Sequence, residues 1–301
     1  MNPSGNLSPV SSTFAPRTLL VFACAIVVLL SSSPLGIKAY ARGSLSSQDS
    51  SSALNPTQDA IEKERRRLSA SDKEERRDAV MRLGNMARAD ASRAAAAALQ
   101  DAEPIVRATA ARAVLSLPAD EAARALVPLL QDKEEFVRQE AAYALGETRS
   151  QMAVPLLVKA LETDKRESVR GAAAVALGQI GDEAAVIPLA GRLSARRRSS
   201  GLFSKITRGQ TNENEFVRRA AARSLGQIGS RAAVPALIQT LQDARAEDDV
   251  RREAARSLGL IGDAAAVPAL RTALAARDPY LSRIAYEALL KIAPAEASRP
   301  L

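Results

Sequence analysis

Val217-Arg218-Arg219-Ala220-Ala221-Ala222-Arg223-Ser224-Leu225-Gly226-Gln227-Ile228-Gly229 is the stretch from which the architecture follows. Val217, Ala221, Leu225 and Ile228 lie four, four and three residues apart, which puts them on one face of a helix, termed here helix B. Gly229 stands where a helix C-terminus takes a left-handed residue, and Ser230 can cap what comes next. A second apolar segment, helix A, follows at Val234-Pro235-Ala236-Leu237 and runs to Leu241. Its proline sits in the first helical turn, where a missing N–H leaves no bond unmade.

The pattern V-R-x-x-A-A-x-x-L-G-x-I-G returns in register from Val169 to Gly181 and from Val250 to Gly262, and is recognisable at Val106-Arg107 and Val137-Arg138. Degenerate copies flank these, one at Arg76 with Leu83-Gly84 and one at Leu281-Ser282 with Leu289 and Ile292. The Arg position falls at residues 76, 107, 138, 170, 218, 251 and 282, so successive steps are 31, 31, 32, 48, 33 and 31. One copy therefore carries an insertion of roughly 16 residues. No strand-like alternation of useful length is visible after residue 41.

These residues resemble HEAT repeats, specifically the short bacterial kind found in phycobiliprotein chromophore lyases, over residues 59–292. The resemblance implies an all-α chain: a right-handed α-solenoid of about seven two-helix HEAT-like repeats whose faces are buried by stacking and whose curved surface binds other macromolecules. The expected organisation is a signal peptide or membrane anchor at 1–41, a Ser-rich flexible linker at 42–56, the repeats at 57–293 with a basic insertion at 194–213, and a C-terminal tail at 294–301.

The leader predicts export. An apolar run over residues 19–30 follows Arg17, is shorter than the roughly 20 residues a membrane span needs, and precedes Ala39-Tyr40-Ala41, which fits a cleavage site of the A-x-A type. Cleavage after Ala41 would deliver a periplasmic or extracellular protein; an uncleaved leader would leave a membrane-anchored one. Cys24 is the only cysteine, so the chain beyond residue 41 needs no disulfide.

Composition excludes much chemistry. The 301 residues contain no His and, past the leader, no Cys, which removes Ser-His-Asp and Cys-His nucleophile systems and structural zinc sites. Neither a cofactor nor a bound metal is expected, and the chain is expected not to be an enzyme. Deoxyhypusine hydroxylase is built of similar repeats but holds di-iron with His-Glu motifs, which cannot exist here, and chromophore lyases act on cytoplasmic antenna proteins, which an export signal contradicts.

The formal charge is +8, and +6 once residues 1–41 are removed with Arg17 and Lys38. The insertion supplies +4 of this from Arg196, Arg197, Arg198, Lys205 and Arg208 against Glu213, leaving too little elsewhere for a nucleic-acid groove. The repeated Arg107, Arg138, Arg170, Arg218 and Arg251 read as structural, because Asp101, Asp132 and Asp164 precede Arg107, Arg138 and Arg170 by six residues and suit pairing within or between repeats.

With the repeated Val as position one, positions five and nine are core and positions three, seven and eleven form a stripe, expected on the concave side. In the middle of that stripe Tyr143 and Val175, beside the small Gly171, predict a pocket for an apolar anchor; towards the C-terminus Arg219, Arg223, Arg252 and Arg256 predict carboxylate binding. The expected partner is a protein or peptide, acidic with one hydrophobic residue. A second reading uses the insertion: Leu202, Phe203 and Ile206 within one helical turn, among Arg196 to Arg198, Lys205 and Arg208, suit docking on an anionic membrane or acidic partner.

Overall fold

The computed structural model describes residues 56–194, 196–198 and 210–297. The leader, the linker up to residue 55, insertion residues Leu202, Phe203, Lys205, Ile206 and Arg208, and the end of the tail lie outside the described residues. Among the described residues fourteen α-helices alternate as A and B members of seven pairs. The A helices are α1 (Pro56–Arg67), α3 (Ala89–Ala95), α5 (Ala119–Leu126), α7 (Val154–Thr163), α9 (Val186–Leu193), α11 (Val234–Gln242) and α13 (Val267–Leu274). The B helices are α2 (Lys73–Asn85), α4 (Pro104–Ala113), α6 (Glu135–Thr148), α8 (Glu167–Ile180), α10 (Glu215–Ile228), α12 (Asp248–Ile261) and α14 (Pro279–Ile292). Among the described residues no helix is long and apolar enough to cross a membrane.

The ends of the helices follow the repeat. Gly181, Gly229 and Gly262 are left-handed at φ 78°, 75° and 74° and end α8, α10 and α12. Asp182, Ser230 and Asp263 then accept a hydrogen bond from the backbone N–H two residues on, capping a short 3-10 turn that leads into each A helix. Repeats one and three reach the same left-handed conformation without glycine, at Ala87 and Arg149.

Positions five and nine of every B helix from α4 to α14 are buried, as in Ala221 with Leu225 and Ala254 with Leu258. Alanine at so many buried sites lets the helices approach closely, and consecutive B helices pack against one another more closely than consecutive A helices do. Position ten sets that spacing. A Cβ on Gly178 would lie 2.6 Å from the Ser224 Cβ, and one on Gly226 would lie 2.7 Å from the Ser257 Cβ. Those serines donate to the preceding B helix, Ser224 Oγ to the Ala174 carbonyl and Ser257 Oγ to the Ala222 carbonyl, each at 2.8 Å.

Repeat two departs from this plan. Leu115 stands at position ten and Pro118 at position thirteen, and α4 spans 10 residues where the later B helices span 14. The insertion brings a second departure: Arg196–Arg198 and Gln210–Asn212 pair antiparallel, with Arg196 opposite Asn212, Arg197 opposite Thr211 and Arg198 opposite Gln210. Strands of three residues are too short to show alternation in sequence, which is why none was expected.

Candidate binding surface on the B helices

The repeated arginines form a ladder between repeats. Arg76, Arg107 and Arg138 each grip an aspartate of the following repeat with two nitrogens: Asp101 at 2.7 and 2.8 Å, Asp132 at 2.7 and 2.8 Å, Asp164 at 2.8 and 3.1 Å. The remaining guanidinium nitrogen donates to carbonyls just before its own helix, as Arg107 Nη1 does to Asp101 O and Ala102 O. Each aspartate also accepts from a backbone N–H two residues on, so one side chain joins two repeats and fixes a turn.

The Arg76 guanidinium beside Asp101 holds that carboxyl below the usual carboxylate range. At Asp132 and Asp164 burial pulls upward and is the largest single influence, yet the arginine, the backbone N–H and nearby positive charge together outweigh it and the pKa falls. Arg170 meets Glu213 instead, at 2.6 and 3.1 Å and fully buried, because the insertion occupies the place of an aspartate. A boundary of the insertion at residue 213 therefore needs correction: Glu213 belongs to the scaffold. In the last repeat Ser282 replaces the arginine and donates to the Leu274 carbonyl.

These arginines are spent on architecture. What remains for binding lies on the outward face of the B helices, where position three of one repeat meets the residue just before position one of the next. Arg219 reaches Asp249 at 3.4 Å, and the Arg252 guanidinium lies 5.1 Å from the centre of the Tyr280 ring. At Gly171 the Phe216 ring fills the site: a Cβ there would fall 2.0 Å from Phe216 Cε1.

That contact corrects the pocket expected at Tyr143, Val175 and Gly171. Tyr143 and Val175 are half-buried against the core, and the Phe216 ring covers Gly171. The apolar recess lies instead in repeats one to three, a groove of about 550 Å³ lined by Met81, Ile105, Ala108, Arg112, Phe136 and Glu140 among others. Met81 is 41% and Phe136 40% exposed.

The fold brings the four arginines of the C-terminal stripe together. Arg219, Arg223, Arg252 and Arg256, joined by Arg283 and Tyr280, line a groove of about 440 Å³ across α10, α12 and α14. Five arginines line it together with Asp249 and Glu253, and with Asp278 on Arg252 and Glu287 3.6 Å from Arg283 the four carboxylates leave one positive charge in excess. Their duties differ. Arg252 is held by Asp278 at 2.7 and 2.9 Å and by Asp249 at 2.7 Å, which makes it a structural link more than a free hand. Arg256 pairs with Glu253 at 3.0 Å, while Arg223 has no ion-pair or hydrogen-bond partner among the described residues. Arg196, Arg197 and Arg198 lie on the first strand of the ribbon, away from α12 and α14 in sequence and built on a separate element.

Curated proteins gave no match. Among solved structures, the CpcE–CpcF complex of phycocyanin lyase from Nostoc sp. PCC7120 is similar, at 26% identity over 76% of this chain and 86% of that one, with a TM-score of 0.46. Human deoxyhypusine hydroxylase is 22% identical over 77% and 84% of the two chains, with a TM-score of 0.38. The YibA protein of E. coli, 21% identical over 78% and 81% with a TM-score of 0.53, shares the fold. Residues 61–146, 123–200 and 243–301 match the family of HEAT repeats and residues 217–243 match the PBS lyase HEAT-like repeat, so the chain belongs to the HEAT-repeat family.

Proposed function

We propose that this protein is a non-catalytic binding scaffold of the cell envelope or exterior, holding an acidic protein or peptide segment on the outward face of its B helices. The observation that carries this reading is the convergence on one groove of four exposed arginines, Arg219, Arg223, Arg256 and Arg283, of which Arg223 has no side-chain partner among the described residues. Guanidinium forks match carboxylates in geometry, and clustered arginines attract anions more strongly than dispersed surface arginines do. The envelope setting rests on the leader sequence.

The test measures binding of a fluorescent peptide containing four glutamates and one leucine to the full chain, and to Arg219→Ser/Arg223→Ser/Arg256→Ser. Arg252 is left in place because Asp278 depends on it. The triple variant should keep its melting temperature and bind about tenfold more weakly, and added salt should weaken the parent's binding. Equal affinity in parent and variant would overturn the assignment.

A further inference from the structure

We infer that the A helices of repeats four to seven form a contact surface whose partner is a second copy of this chain. The inference stands apart from the reading of the B helices. Two positions carry it, the residues two before and one after the valine that opens each A helix: Val154, Val186, Val234 and Val267. In repeats two and three the matching positions, around Ser92 and Ala123, are charged: Asp90 with Arg93, then Glu121 with Arg124. From repeat four they carry no charge. They are Met152 with Pro155, Ala184 with Ile187, and alanine with proline in repeats six and seven, all exposed. Ile187 is 81% and Met152 43% exposed. Single apolar residues at a surface are ordinary, but the same two positions uncharged in four successive repeats make a continuous strip.

The charges along one edge of the strip say what covers it. The residues three before the valines are Gln151, Glu183, Arg231 and Ala264, so the edge runs neutral, negative, positive, neutral. Reversed end to end, that order is its own complement. A twofold axis parallel to the A helices and passing between α9 and α11 therefore lays strip on strip, with Glu183 facing Arg231 of the partner subunit twice over and Ile187 facing Pro235 of the partner subunit. Within one chain these two charges are not joined: Glu183 accepts from Ser230 Oγ at 2.8 Å, and Arg231, its side chain 84% exposed, stands 3.7 Å from Asp263. A partner of one charge sign would answer only one of them. Helices about 8–10 Å apart make the strip roughly 35 Å long, and at a width of about 10 Å it offers roughly 350 Å² per copy. That area places the pair among weak interfaces, in which the uncharged strip supplies burial and the ion pairs fix register. The arginine groove lies on other helices and stays open in both copies.

The experiment is sedimentation equilibrium of the full chain from about 10 μM to 1 mM, a range that resolves weak self-association. The parent should form dimers reversibly. Glu183→Arg alone or Arg231→Glu alone sets like charges against each other at both pairs and should weaken the dimer by about tenfold or more. The two single variants mixed should pair with each other, and Glu183→Arg/Arg231→Glu in one chain should return to within about twofold of the parent, because the edge is again its own complement. Ile187→Glu should abolish the dimer at an unchanged melting temperature, since the side chain is exposed. Self-association that ignores the charge swaps, or that the double swap fails to restore, would overturn the inference. So would a parent that stays monomeric throughout. If that monomer floats with phosphatidylcholine vesicles while Ile187→Glu does not, the strip belongs to a lipid surface and not to a second copy.

Discussion

Arg149 occupies the position that glycine fills in three later repeats, at φ 55° in the left-handed region. A side chain there brings its Cβ close to the following carbonyl oxygen, at roughly 1–2 kcal/mol, whereas glycine adopts the conformation freely but loses more entropy on folding. Arg149 is exposed and ends α6 with its N–H donating to the Gly146 carbonyl, a bond glycine keeps. Arg149→Gly should therefore raise stability by about 0.5–1 kcal/mol, read as a higher denaturation midpoint at unchanged m-value. A lower midpoint would mean that the arginine side chain contributes more at this corner than its exposure suggests. The same reasoning separates the arginines that look alike in sequence: Arg138 and Arg252 hold half-buried aspartates, while Arg223 and Arg219 stand at the surface.

At the scale of elements, the insertion shows where a repeat can be interrupted. Helix α9 ends at Leu193 and α10 begins at Glu215, and both ends of the intervening segment are anchored. The Leu193 carbonyl accepts from Arg218 Nε at 2.9 Å, Glu213 takes the buried Arg170, and the ribbon pairs Arg198 with Gln210. Removing all of residues 194–213 would leave Arg170 buried and unanswered, a loss of about 3–5 kcal/mol. Replacing residues 199–209 with Asn-Gly instead closes Arg198 onto Gln210 through a two-residue hairpin turn. That variant should keep its helical circular dichroism and melt within a few degrees of the parent. It also isolates the docking role expected of Leu202, Phe203 and Ile206: unchanged binding to anionic vesicles would remove the membrane reading, and lost binding would support it.

For the whole molecule, what could be read from sequence is what recurs. Seven copies in register disclosed the helix pairs, the caps at Asp182, Ser230 and Asp263, and the structural duty of the repeated arginines. The apolar groove escaped because Met81, Ile105, Ala108 and Phe136 come from three different helices, which a count along one copy of the repeat does not bring together. Phe216 over Gly171 escaped because a stripe counted within one helix omits the residue the next repeat lays across it. The ladder also sets how the solenoid answers acid. With no His, no group of ordinary pKa titrates between about pH 5 and 8 beyond the chain terminus, so stability should be flat there. Asp101, Asp132 and Asp164 have folded pKa values below their unfolded ones, so their contribution is complete above about pH 4 and is lost as pH falls through the folded values. These three joins follow one another through repeats one to four, and in a linear array each repeat leans only on its neighbours. Hydrogen exchange at about pH 3 should therefore show α2, α4 and α6 losing protection before α10 and α12, where Arg218 and Arg251 also donate to the Leu193 and Leu241 carbonyls. Asp132→Asn should lower the midpoint at pH 7 and shrink its fall between pH 6 and 3; a fall as large as the parent's would show that other carboxylates govern the acid response.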